Sequence, residues 1–299
     1  MKKLGLAVAV SAALGVGAVH AYTVAVPDDG VLVPNVIHNG GADTTAIMLT
    51  NHAQSPVWVY WTFFDEDSVH LVDGQFRMTE NDMQRVVWSE VSGVGLENQR
   101  GYLVFMVGAS ATDPTPREGQ DLISAAAFQA DAFNNDAIFI PTFPINDADL
   151  EAGANLTTLD EDSLVSLASG APAGSTVDMR YEIPGDFESS VLLWSTGGLD
   201  DRFTVNMFDD NQNRQSVNFI CEFDELCFVD PQDILGRPAN FLSGYIRFVT
   251  AGTDVGDFVS YTAIRGTSFP ATQTVLNPHY GAQQNGGPTP PPPPPPPAP

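Results

Sequence analysis

Two stretches decide the fold: TTAIMLTNHAQSPVWVYWTFF at Thr44–Phe64 and SSVLLWSTGGLDDRFTVNMF at Ser189–Phe208. The second reads as a degenerate copy of the first. A shift of 145 sets Ile47, Leu49 and Thr50 on Leu192, Trp194 and Ser195, and a shift of 144 sets Phe64 and Asp65 on Phe208 and Asp209. Downstream, GYLVFMV from Gly101 falls on GYIRFVT from Gly244, and DLISAAAF from Asp121 falls on DFVSYTAI from Asp257. Four blocks in one order make an internal repeat, which takes precedence over any local reading.

Periodicity then gives the type of element. Val59, Trp61 and Phe63 share one parity and match Phe203, Val205 and Met207, all apolar. The opposite parity holds Trp58, Tyr60 and Thr62 in the first copy and Arg202, Thr204 and Asn206 in the second. This alternation is that of a half-buried antiparallel strand, with the first set in the core and the second outside. Asp65-Glu66-Asp67-Ser68 and Asp209-Asp210-Asn211-Gln212 close the two strands with turn formers. Six or seven short strands per copy predict an all-β protein: two tandem Ig-like antiparallel β-sandwiches formed by internal duplication. The strand rhythm stops over 147–175, which is acidic and rich in Ala, Gly and Ser. It is read as a linker between a first sandwich at 22–146 and a second at 176–281.

The ends carry other signals. Lys2 and Lys3, the apolar run Leu4–Val19 and the small-residue site ending at Ala21 predict a signal peptide over 1–21. Sixteen apolar residues fall short of the roughly 20 that a spanning helix needs, so no membrane insertion is expected. Residues 282–299 form a Gly/Pro-rich tail ending in a proline run, Pro290–Pro297. In polyproline II those eight residues would span about 25 Å as a stiff spacer.

The 299 residues carry 37 acidic and 12 basic side chains, a net charge of −25. Loss of Lys2 and Lys3 with the leader leaves no lysine and lowers it to −27. Such a surface repels nucleic acid, which selects Lys and Arg clusters. In a secreted chain, Cys221 and Cys227 read as one short disulfide; a two-Cys metal site is the rival. The second copy holds seven extra residues just before Asp233, on the cysteine loop. The bridge is therefore expected to brace a local excursion, worth about 2 kcal/mol by loop entropy.

The combination VLVPNVIHNG, IMLTN, WTFFDEDS and GYLVF, with a final Ala-rich strand, resembles secreted bacterial proteins carrying one or more such sandwiches. The resemblance implies an extracellular, non-catalytic module and brings no catalytic residue with it.

No nucleophile elbow, zinc-protease helix, Walker loop or dinucleotide fingerprint is present. His38, His52 and His70 fall in or beside predicted turns, and none forms a close metal-ligand pair. Asp209, Asn211 and Asn213 occupy positions one, three and five of a calcium loop, although Arg214 stands where its Gly belongs. Calcium is thus the one cofactor considered; otherwise none is expected. Trp58 and Tyr60, on the parity predicted to be outside, form a candidate platform for a sugar ring or a protein anchor. The other reading packs that face on the second copy or under a long loop. The expected function is a structural or adhesive protein of the cell exterior. Its partners would be itself, another extracellular protein or a glycan. Tyr22–Val26 is a β-prone segment that could complete its own sandwich or be exchanged between copies.

Overall fold

The computed structural model describes residues 19–20, 22–40, 43–91, 95–118, 122–132, 135–183, 185, 187–266 and 271–281. The tail at 282–299, and all of the leader except residues 19–20, lie outside the described residues. Strands dominate. The first half holds β1 (Val19–His20), β2 (Gly30–His38), β3 (Asp43–Asn51), β4 (Val57–Asp65), β5 (His70–Met78), β6 (Met83–Val87) and β7 (Gln99–Ser110). It continues with β8 (Asp113–Pro116), β9 (Ile123–Asp131), β10 (Asp136–Ile140) and β11 (Phe143–Ile145). The second half holds β12 (Thr176–Glu182), β13 (Phe187–Ser195), β14 (Arg202–Asp209), β15 (Arg214–Ile220) and β16 (Leu226–Val229). It ends with β17 (Ser243–Val249), β18 (Phe258–Gly266), β19 (Thr272–Leu276) and β20 (His279–Tyr280).

Every ladder is antiparallel, and the strand order recurs. In the first half β6-β3-β9-β10 faces β5-β4-β7-β2, the two sheets joined at one corner where His38 pairs with Thr44. In the second half β16-β13-β18-β19 faces β15-β14-β17-β12, extended by β20. These are four layers, numbered in the order in which they stack: β3, β2, β13 and β12 mark the first to the fourth. Details recur with the topology. Asp65 Oδ1 accepts from Asp67 N and Val69 N, as Asp209 Oδ1 accepts from Asn211 N and Asn213 N. Ser68 at φ 60° and Gln212 at φ 62° take the same left-handed place in the two turns. Gly101 and Gly244 lie against the carbonyls of Phe64 and Phe208, where a Cβ would collide; no other residue fits such an approach.

The repeat alignment needs correction in two of its blocks. Pairing equates Met48 with Leu192, since Met48 sits opposite Ala126 as Leu192 sits opposite Tyr261. Ile47 and Leu49 point into the first sandwich, whereas Leu192 and Trp194 point out of the second, towards the first half. The shift here is therefore 144 and that of β9 on β18 is 135, with Ala126 on Tyr261; alignments at 145 and at Asp121 on Asp257 exchange the faces, as any one-residue slip does.

A second correction concerns 147–175. This segment is not a free linker: Leu150, Leu156, Leu159, Leu164 and Leu167 are all buried. They join a core that runs from Leu32, Tyr60, Phe64 and Tyr102 of the second layer to Trp194 and Tyr261 of the third and on into the second sandwich. The first sandwich has its own core between its two sheets, around Val33, Val59, Phe63, Trp88 and Phe105. The inner strands of the second layer are consequently buried on both faces: β2 is buried from Gly30 to Ile37 and β7 from Gly101 to Gly108.

Tyr22–Val26 is tied within its own chain. Thr23 N donates to Ser169 O and Ala25 N to Thr142 O, while the Tyr22 ring packs on Phe143 and His279. Strand exchange through this segment is not the arrangement found.

Candidate functional site

The sequence-predicted aromatic platform is the first thing the packing relocates. Tyr60 is 4% exposed, and its hydroxyl donates to Ser110 O at 2.7 Å. Trp58 is half-buried against the joint core. Their face is covered because the next sandwich and the leucine segment sit on it, so the expectation of an outward aromatic surface is corrected. The equivalent face of the second half is open to solvent. There Phe208 stacks on Tyr245 at 4.6 Å, as Phe64 stacks on Tyr102 at 4.9 Å. Around this retained pair the chemistry changes. Leu32 and Val104, paired across the second layer, become Asp178 and Arg247 across the fourth, a bidentate ion pair at 2.7 and 2.8 Å.

Asp209, Asn211 and Asn213 are brought together in one turn. Asp209 accepts from its own turn's backbone and from Asn213 Nδ2 at 2.7 Å, and these bonds hold its carboxyl below the usual range. The Asp209 oxygens that a calcium loop would offer are used here to close the turn. Among the described residues, no cluster of three His, Cys, Asp or Glu side chains is arranged to hold a metal. Cys221 and Cys227 form the predicted disulfide. His70 Nδ1 lies 2.8 Å from Leu159 O, pinning the leucine segment, and His52 Nε2 lies 2.8 Å from Ser124 Oγ.

The ladders equate Met78 with Cys221 and Gln84 with Cys227, so the cysteine loop is as long as the β5–β6 turn and is not the insertion expected from the sequence; it delivers Glu225 to the interface between the halves. Tyr102 Oη donates to Glu225 Oε2 at 2.5 Å, and the Tyr102 ring meets Trp194 edge-on at 5.6 Å. Burial pushes the Glu225 carboxyl up to about 8. It also raises the Tyr102 phenol well above its ordinary value, with the neighbouring carboxyl adding to the effect.

Beside this contact lies a cleft of about 310 Å³. Its walls are β2, the ends of β3, β7, β9 and β10, and the outward face of β13, β16, β18 and β19. β10 reaches β19 here: Thr274 Oγ1 donates to Phe139 O at 2.6 Å, and Thr272 Oγ1 donates to Asp136. A β-bulge in β2 between Val33 and Val36 places Asn35 in the wall. Bulges serve this purpose of re-aiming one side chain, and Pro34 is tolerated there because a bulge releases it from the ladder.

The charges in the cleft are unequally satisfied. Arg265 donates to Asp131 at 2.8 Å and lies 3.8 Å from Glu188; Asp43 accepts from Asn39 at 3.0 Å and Gln129 at 2.8 Å. Arg100 stands over the Phe228 ring at 3.9 Å, and its nearest carboxylate contact, Nε to Glu66, is also 3.9 Å. Arg100 Nη1 is buried without a hydrogen-bond acceptor among the described residues. Burial lowers the pKa of this guanidinium, against the pull of Glu66. Sequence reasoning missed the cleft, although Pro34-Asn35 inside an apolar strand and an arginine just before GYLVF are signals it could have used.

No family model matches the chain, and no curated protein is significantly similar to it. Among solved structures, a lectin from Pleurotus ostreatus in complex with GalNAc aligns over 87% of this chain and 84% of its own. Identity is 9% and the TM-score 0.19, too distant to bear on fold or function.

Proposed function

We propose that this is a secreted, non-catalytic structural or adhesive protein of the cell exterior. The observation that supports this reading most is the continuous core, which packs two sandwiches and the segment between them into one body. The disulfide fits an oxidising compartment, and among the described residues no helix is long and apolar enough to cross a membrane. The outward side of the first layer supplies a contact surface. Met83, Phe128 and Phe139 are exposed there beside the smaller Ala46 and Ala126. On a chain of net charge −25, this is where two copies can approach without bringing carboxylates together.

Light scattering of the full chain in rising salt tests it. Association that grows as salt screens the like charge, and that Phe128→Asp abolishes without unfolding, is expected. A monomer at every salt concentration removes self-association, and turnover on polysaccharide or peptide libraries removes the non-catalytic reading. Ligand binding is the second reading, favoured by the cleft between the halves.

A further inference from the structure

We propose that the cleft between the two sandwiches binds a small hydroxylated carboxylate of the hexuronic acid class, with Arg100 taking the carboxylate. This rests on the cleft alone and stands or falls separately from self-association.

The argument begins with charge. Asp43, Asp131 and Glu188 line the cleft, yet Asp43 is bonded to two amides, and Asp131 and Glu188 share Arg265. The donor left over is cationic: Arg100 Nη1, buried and lacking an acceptor among the described residues. A buried donor without an acceptor is costly, and a guanidinium fork matches a carboxylate in two parallel bonds. The ligand group that completes Arg100 is therefore an anion with planar oxygens. Only ten arginines serve a chain carrying 37 acids, so one with an unmet donor in a cleft is a strong local signal.

The remaining wall describes the rest of the ligand. Asn35, Gln129, Ser190, Tyr261 and Thr272 are neutral donors and acceptors, set among Ile37, Ile138 and Leu192. Polyhydroxylated rings use such a mixture of amide, hydroxyl and apolar contact. The volume, about 310 Å³, lies at the lower end for small-ligand pockets and equals the liquid share of about ten waters. It suits one ring. A shallower recess beside it shares Ile37, Asn39, Arg100 and Phe228, which gives a path for the end of a longer uronate chain.

The experiment is calorimetry on the full chain with galacturonate, neutral galactose, acetate and a galacturonate trimer. Galacturonate should bind, with galactose and acetate each at least tenfold weaker; Arg100→Gln should weaken galacturonate at least tenfold. Ser190→Phe, which fills the cleft and leaves Arg100 in place, should do the same and guards against misfolding of the arginine variant, with thermal midpoints as the check. Tighter binding of the trimer assigns a polymer end, and equal binding assigns the free sugar acid; either supports the site. No binding of galacturonate at millimolar concentration, equal binding of galactose or acetate, or retention by folded Ser190→Phe overturns the proposal.

Discussion

At the scale of single residues, the most consequential group is Glu225, whose carboxyl lies against Tyr102 with its pKa at about 8. Unfolding returns it to the ordinary 4.5. Between these values the folded chain holds a proton that the unfolded chain has released. This contribution is therefore fully present below pH 4.5 and is lost as pH rises towards 8, by up to about 1.4 kcal/mol per pH unit. Urea midpoints measured from pH 5 to 8 should fall less steeply in Glu225→Gln than in the parent chain. Identical slopes would show that the carboxyl is not desolvated by the interface. Little of this residue's role was legible in the sequence. Glu222, Asp224 and Glu225 are alike as letters in the loop, and only the packing of the first half against it distinguishes the third.

Among elements, β4 and β14 show how far parity carries. The core-facing sets Val59-Trp61-Phe63 and Phe203-Val205-Met207 were legible in both copies because each alternates with a more polar set or a weaker one. For β14 the second set is indeed outside, Arg202 and Thr204 being exposed. For β4 it is not: a second apolar surface covers Tyr60 and Thr62, and a strand buried on both faces loses its two-residue signal. β13 suffers the same loss, since Val191, Leu192, Leu193 and Trp194 are all buried, so its alignment could slip by one. The disulfide was legible, but its purpose needed the neighbour. Cys221→Ser should cost a few kcal/mol at most and leave the fold intact, while weakening the hold of the loop on Tyr102. Tyrosine-selective modification in mild urea should then reach Tyr102 sooner than in the parent chain. Complete failure to fold would show that the bridge secures more than a local loop.

For the molecule as a whole, the segment 147–175 separates two views of the architecture. Read by composition it is a tether; in the structure it is a third partner in the interface, with Leu156 N donating to Pro114 O at 3.0 Å. Leu156 is buried, so Leu156→Ala should cost about 2–5 kcal/mol, where a substitution in a free tether would stay within about 0.5 kcal/mol. Thermal or urea unfolding decides between them. The sequence does not mark these leucines as an interface: the spacing of Leu156, Leu159, Leu164 and Leu167 allows one face of a helix, yet no helix forms over 150–170, and their partners lie on elements far away in sequence.

The exchange of Leu32 and Val104 for Asp178 and Arg247 bears on how far such a stack could grow. In solenoids, terminal repeats wear a polar outer side because nothing follows them. The fourth layer has that character: the aromatic pair that seats one sandwich on the next is kept, but an ion pair now fences it. That character would suit the second half to serve as an end cap. Copies joined through the opposite side of the molecule would then close as pairs rather than lengthen into fibres, and the size of the particle is written into two side chains at the centre of one sheet.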